Sequence, residues 1–252
     1  MRILAANDDG IAAPGLAELA GAAAAALDAE LWIVAPERKW TAASHQLSFD
    51  RDLMLSRVGK RAYACSGSPA DCVVAAMTVL FADGPRPDLV LAGINDGRNV
   101  GEDIAYSGTM AIGREAAFWG VPAISISRVK GAVPGTGDDA VLRALLRILA
   151  DTPGEWAGDG HWLGVNLPAA LPAPVVQATI GRDKIASASD VFERTPDRIR
   201  YRLRRGRAHA STAGDENAAI DAGNIVIVRH GWAETAALPE DFVALCNRAL
   251  PT

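Results

Sequence analysis

Short apolar runs recur along the chain, each closed by polar or glycine-rich residues and followed by a longer stretch of helical periodicity. Ile3–Ala6 reads as a buried strand, and Pro14–Leu27 as an Ala- and Leu-rich helix with Pro14 in its first turn, where proline is tolerated. Leu31–Ala35 predicts a second strand, ended by Pro36. A helix begins near Pro69 and continues through Met77–Phe81. Leu89–Gly93 is a third strand, Thr109–Trp119 a helix and Pro122–Ser127 another strand. Asp138–Ala150 is amphipathic, with Val141, Leu142, Leu145, Leu146 and Leu149 on one side, and Leu163–Leu167 is a strand closed by Pro168. Strands alternating with helices predict an α/β fold whose mostly parallel sheet is flanked by helices. No Gly-x-Gly-x-x-Gly follows the first strand, so the dinucleotide fingerprint is missing.

The character changes after Pro174. Val175–Ile180 reads as a strand, and Arg194–Arg207 alternates arginine with apolar residues in the manner of a hairpin. Two readings of those arginines stand: a solvated face, or an arm that pairs with another subunit. Ile225–Val228 is a late strand and Leu238–Ala249 a terminal helix. We therefore expect a catalytic core over residues 1–173. Residues 174–252 should form an extension with an oligomerisation hairpin, a strand returning to the core and a terminal helix.

Composition changes this picture little. At 252 residues, 50% hydrophobic and 22% charged, the chain has enough material for one large α/β core. The net charge of −5 disfavours duplex nucleic acid and anionic membrane surfaces, so a substrate anion must be drawn in by a local cation. Cys65, Cys72 and Cys246 lack Cys-x-x-Cys spacing, which predicts small buried thiols in a reducing compartment. No basic segment precedes a long apolar run at the N-terminus, and acidic residues break the Ala-rich stretch of residues 17–28. A cytoplasmic location and no membrane partner are expected.

The chemistry starts where the first strand stops, at Asn7-Asp8-Asp9-Gly10. One such residue suffices to cap the following helix, whereas neighbouring carboxylates at a buried strand tip are costly unless paired or metal-bound. A second polar segment, Gly93-Ile-Asn95-Asp96-Gly97-Arg98-Asn99-Val100-Gly101, follows the Leu89–Ala92 run and is either a crossover loop or a phosphate-approaching loop. Ser107-Gly108-Thr109 opens a helix, as a cap or as an anion cradle. Ala35–His45 supplies the cations Arg38 and Lys39 and the hydroxyl of Thr41; His45 reads either as a general acid or as a lone histidine with no special role. Carboxylates, an amide oxygen and a hydroxyl suit Mg²⁺, Mn²⁺ or Ca²⁺, and such a cation beside an anion cradle describes phosphate ester hydrolysis. A nucleotide-binding regulatory module without catalysis is the alternative. The adjacent carboxylates oppose it, since they would repel a phosphate unless a cation lay between.

These segments, together with Val34-Ala-Pro-Glu-Arg38, Gly67-Ser-Pro-Ala-Asp71-Cys72 and Tyr106-Ser107-Gly108-Thr109, resemble in order the SurE family of 5′/3′-nucleotidases. The match is close over residues 1 to about 127 and loose in the tail. The resemblance implies a Rossmann-like α/β core and a C-terminal arm exchanged in a homodimer or homotetramer. It also implies one divalent cation per subunit, held by Asp8, Asp9, Thr41 and Asn95, with Asp8, Asp9 and Asn95 catalytic. Asn99, Ser107, Gly108 and Thr109 would surround the phosphate of a nucleoside monophosphate, hydrolysed by a metal-activated water. Thr41 replaces the family's usual serine, and Trp40 would stack on a nucleobase or pack on the surface.

Overall fold

The computed structural model describes residues 1–182, 188–204 and 212–232. Its centre is β1 (Arg2–Ala6), which pairs in parallel with β2 (Glu30–Pro36) on one side and β5 (Leu89–Asp96) on the other. Beyond β2 lie β4 (Ala62–Cys65), also parallel, and β3 (Leu55–Gly59), antiparallel at the edge. Beyond β5 the parallel run continues through β6 (Ala123–Arg128) and β7 (His161–Leu167). β11 (Ile225–Gly231) then pairs antiparallel with β7 and parallel with β8 (Val175–Gln177). Among the described residues the sheet has nine strands in the order β3-β4-β2-β1-β5-β6-β7-β11-β8.

Both faces of the sheet are covered, and its central strands accordingly carry apolar residues at consecutive positions. Ile3, Leu89, Leu91, Ile124 and Ile126 face one layer, packed by α1 (Pro14–Ala26) and by Leu142, Leu145, Leu146 and Leu149 of α5 (Asp138–Asp151). The neighbouring residues Leu4, Val90 and Ala92 face the opposite layer. There α2 (Pro69–Ala75) and α4 (Gly108–Phe118) contribute Cys72, Val73, Met110, Ile112 and Ala116. Short helices α3 (Asp103–Tyr106), α6 (Pro153–Trp156) and α7 (Glu216–Asp221) complete the fold. No helix among the described residues is long and apolar enough to cross a membrane.

The elements depart from the sequence expectation in particular places. α2 stops at Ala75 and passes into a π-helical turn over Ala76–Leu80, with the Phe81 N–H donating to the Ala76 carbonyl at 2.9 Å. β5 does not end at Gly93 but runs to Asp96, with a register irregularity between Ala92 and Asn95, so Asn95 and Asp96 lie on a strand and not in a loop. β8 is shorter than Val175–Ile180. A hairpin is present, but it lies earlier than Arg194–Arg207: β9 (Ser189–Arg194) pairs with β10 (Ile199–Leu203), and residues 205–207 lie outside the described residues. Val191, Phe192, Ile199, Tyr201 and Leu203 on it are exposed, as are Arg194, Arg198, Arg200, Arg202 and Arg204. The anticipated helix at 238–249 and Cys246 lie outside the described residues. Cys65 and Cys72 are buried free thiols.

Leu146 is fully buried between α5 and the sheet. Its replacement by alanine should cost about 2–5 kcal/mol of folding stability, measured as a lower urea midpoint.

Candidate functional site

The parallel strands deliver polar residues to their shared carboxyl edge, where α/β proteins bind ligands. Asn7 closes the turn after β1: its Oδ1 accepts from the Gly10 N–H at 3.1 Å, and its Nδ2 donates to the Gly10 carbonyl at 3.0 Å. That turn sends the two aspartates to different surroundings. Asp8 is buried against the start of α4, and its Oδ1 accepts the Thr109 hydroxyl at 2.6 Å. Burial pushes its carboxyl above the ordinary range; the Thr109 hydrogen bond opposes this, and the neighbouring Asp9 charge adds to it. Asp9 instead forms an ion pair with Lys39, and the hydrogen bond raises the pKa of that ammonium.

The start of α4 fits closely against Asp8. Ser107 caps the helix, its Oγ accepting from the Met110 N–H at 3.1 Å, while Ser125 Oγ donates to the Thr109 carbonyl at 3.0 Å. Gly108 is required by proximity. A Cβ there would sit 2.6 Å from Asp8 Cβ and 2.8 Å from Pro69 Cγ. The first N–H groups of α4, at Gly108 and Thr109, have no carbonyl one turn back within the helix and lie where its dipole is positive.

Asn95 joins Asp9 on the wall of a cavity of about 560 Å³. Its Nδ2 donates to the Gly97 carbonyl at 2.8 Å, and its Oδ1 accepts no hydrogen bond among the described residues. Asn99 is committed elsewhere. Its N–H donates to Asn166 Oδ1 at 3.0 Å, its Nδ2 to Ser127 Oγ at 2.8 Å, and its carbonyl accepts from Asn166 Nδ2 at 3.1 Å. These bonds clamp the glycine loop onto β6 and β7. Glu216 of α7 adds a further clamp, accepting the Gly101 N–H at 2.6 Å while its other oxygen is buried without a partner. Burial raises the Glu216 carboxyl to about 7.

Thr41 is the sequence-predicted residue that stands apart. It is exposed, although the preceding Trp40 N–H donates to the Asp8 carbonyl at 2.7 Å. Its loop is held at many points. Ser44 donates from N–H to the Tyr106 carbonyl at 2.9 Å and from Oγ to the Ala105 carbonyl at 2.6 Å. Asp71 accepts from Ser48 N–H and Oγ while forming a capping box with Ser68 on α2. Between these anchors Ala42 and Ser44 adopt left-handed backbone, with φ of 57° and 56°. His45 has a definite place that its isolation in the sequence concealed. Its Nδ1 accepts from Arg114 Nε at 2.8 Å, leaving Nε2 to donate to Glu115 at 2.6 Å. Trp40 packs beneath the Arg38 guanidinium, 5.1 Å from its ring centre.

Among the described residues no three His, Cys, Asp or Glu side chains form a metal-holding group. A cation here would rest on two carboxylates completed by neutral oxygens. The donor chemistry fits a hard divalent ion: a buried carboxylate, a second carboxylate beside it and the free amide oxygen of Asn95.

A doubly covered, mostly parallel sheet with carboxylates and a helix N-terminus at its carboxyl edge defines an α/β protein whose candidate ligand site lies at that edge. The family description "Survival protein SurE" matches residues 3–188, and the chain belongs to the SurE family. A 5′-nucleotidase SurE of Cereibacter sphaeroides is 40% identical over 197 residues, covering 74% of this chain and 73% of that protein. The 5′-nucleotidase SurE of Mesorhizobium japonicum is 38% identical over 216 residues, 82% of this chain and 83% of that protein. The crystal structure of the SurE protein from Aquifex aeolicus superposes with a TM-score of 0.74 at 27% identity, covering 92% of this chain and 93% of that one.

Two consequences are measurable. Gly108→Ala forces Asp8 or Pro69 to move and should cost roughly 1–3 kcal/mol, seen as a lower melting temperature. Glu216 carries a folded pKa of about 7 against an ordinary 4.5, so its contribution to stability is complete below pH 4.5 and lost as pH rises through 7. Relative to wild type, Glu216→Gln should gain of order 3 kcal/mol between pH 4 and pH 8, read by urea denaturation at each pH.

Proposed function

We propose that this chain is a 5′-nucleotidase, a phosphomonoesterase that converts nucleoside 5′(3′)-monophosphates to nucleoside and phosphate. The observation that carries this reading is the buried Asp8 carboxylate hydrogen-bonded to Thr109 at the start of α4, with Asp9 beside it. It puts paired negative charge against a helix terminus suited to an anion, an arrangement that makes sense for a cation–phosphate pair. The related 5′-nucleotidases of Cereibacter sphaeroides and Mesorhizobium japonicum support the same conclusion.

In this reading Asp8, Asp9, Asn95 and the Thr41 hydroxyl would hold one Mg²⁺, Mn²⁺ or Ca²⁺ per subunit. When bound, such a cation stabilises charge on the phosphoryl oxygens and activates water for attack. Asp8, fixed by the Thr109 hydroxyl, presents its remaining oxygen lone pairs without rotamer freedom. Ser107, Gly108 and Thr109 bind the phosphate with the Ser107 hydroxyl and the free N–H groups of α4, where the helix dipole favours the anion. Asn99, held in place by its loop's bonds to β6 and β7, joins them around the phosphate, one Nδ2 hydrogen remaining beyond its bond to Ser127. Lys39 neutralises Asp9 at the mouth of the site.

We infer that residues 1–173 carry catalysis and residues 174–252 assembly, in a cytoplasmic homodimer or homotetramer. The hairpin of β9 and β10 supports an exchanged arm: it pairs with no other strand among the described residues and exposes Phe192 and Tyr201.

EDTA should abolish hydrolysis of a generic phosphate ester and Mn²⁺ restore it. Asp9→Asn should lose most activity, by about 10²-fold or more, together with metal affinity measured by calorimetry. Full activity in that variant, or an acyl-phosphate trapped on Asp8 or Asp9, would overturn the assignment.

A further inference from the structure

Residues 37–54, between β2 and β3, contain neither helix nor strand, so their backbone and side chains must find partners outside any ladder. The segment is tied at one end by the Trp40 N–H on the Asp8 carbonyl and at the other by Ser48 on Asp71. Between these ties His45 reaches α4, where its ring stacks on Phe118 with centroids 5.4 Å apart and planes 11° from parallel. A guanidinium has donors only, so the 2.8 Å contact from Arg114 Nε makes Nδ1 the acceptor and puts the ring proton on Nε2, facing Glu115 at 2.6 Å. Glu115 is fixed in turn. It is buried, and its second oxygen accepts the Trp119 indole N–H at 2.9 Å. The ring therefore joins a cation to a carboxylate in one tautomer and one orientation. A phenyl ring would fill the same space and make neither bond.

The backbone next to His45 gives this contact a consequence. Ser44 is left-handed at φ 56°, a conformation that a residue with a side chain keeps only under constraint. Its N–H and Oγ donate to the Tyr106 and Ala105 carbonyls, directly before the Ser107 cap of α4. Thr41 lies between the Trp40 tie and this strained residue. Release of His45 lets Ser44 relax, and Thr41 moves with it. We propose that His45 is a positioning residue for the candidate site: by joining Arg114 to Glu115 it fixes the loop that carries Thr41, and so sets the affinity of the Asp8, Asp9, Asn95 and Thr41 set for its cation. Because Arg114 and Glu115 belong to the helix that Ser107–Thr109 opens, the loop and the anion cradle are held as one body. The proposal rests on the reading of those four residues as metal ligands, and His45 acts through the loop, not on substrate.

The test compares wild type with three variants. His45→Phe keeps a ring against Phe118 without the hydrogen bonds, His45→Gln again offers an acceptor and a donor, and Arg114→Met removes the donor from the other side. Mn²⁺ affinity is measured by calorimetry on the metal-free proteins, well below each melting temperature. His45→Phe and Arg114→Met should each weaken Mn²⁺ binding by about tenfold or more, the loss expected when a group that orients a ligand is removed. The double variant should fall within about twofold of the weaker single one, because both changes break one chain. His45→Gln should stay within about threefold of wild type. Saturating Mn²⁺ should return kcat for phenyl phosphate in His45→Phe to within about threefold of wild type, which a general loss of folding stability would not allow. If His45→Phe does not fold, Arg114→Met and His45→Gln carry the same comparison. Thr41→Ala tests the reading beneath and should weaken Mn²⁺ binding as well. Unchanged affinity in His45→Phe and Arg114→Met beside a loss in Thr41→Ala would overturn the positioning role, as would a His45→Gln protein as weak as His45→Phe. Unchanged affinity in Thr41→Ala would instead remove Thr41 from the ligand set, and with it the path through which His45 acts. Wild type that hydrolyses neither phenyl phosphate nor a nucleoside 5′-monophosphate with Mn²⁺ present would remove the nucleotidase reading itself.

Discussion

Two carboxylates on consecutive residues repel each other wherever they are placed, and at the end of a central strand they also lose water. The molecule separates them. Asp8 enters the layer of α2 and α4 and leans on the Thr109 hydroxyl, while Asp9 turns to Lys39 and the open cavity. Much of the surrounding structure follows from that division. α4 must begin with a glycine because Asp8 fills the space a side chain would take, and Ser107 must cap a helix whose next residues are turned to the carboxylate. The backbone of residue 40 is drawn to the Asp8 carbonyl, bringing a whole loop with it.

That loop shows how a locally unfavourable conformation is maintained. Left-handed backbone at two non-glycine residues costs of order 1–3 kcal/mol each and persists only where the surroundings over-determine it. Here the determinants come from three directions: the Tyr106 and Ala105 carbonyls, the Arg114–His45–Glu115 chain, and Asp71, whose capping of α2 is shared with Ser48. The Gly67–Asp71 motif is therefore structural in its immediate action. It fixes α2 and, through the same carboxylate, one end of the loop beside the candidate site.

The parts of the fold that read directly from the sequence are those whose signal is local. β1, α1, β6 and α5 announce themselves by apolar runs and helical spacing. β3 and β4 do not, because Leu55–Gly59 and Ala62–Cys65 are short, lie toward one edge and carry several exposed residues. β5 was longer than its apolar run because the strand tolerates a glycine-centred irregularity before Asn95. At the site, Asp8, Asp9, Ser107, Gly108 and Thr109 were legible as unusual polar residues at strand and helix ends. Partners far apart in the chain were not. Glu18 meets Arg128, His45 meets Glu115 and Glu216 meets Gly101 only through tertiary packing, and no pattern within a short window encodes such pairs. The cavity escaped for the same reason, being walled in part by alanines and two prolines that look unremarkable in sequence.

The position of β1 and β5 in the middle of the sheet has one more consequence. Proteins open in units of unequal stability, with termini, edges and exposed loops opening at small cost and central strands only near global unfolding. Asp8, Asp9 and Asn95 are attached to the strands whose amide hydrogens should exchange last. The ribbon of β9 and β10, which pairs with no other strand among the described residues, belongs to the surface that exchanges first. Breathing at the periphery can thus admit and release small molecules many times over while the carboxylate pair stays in register.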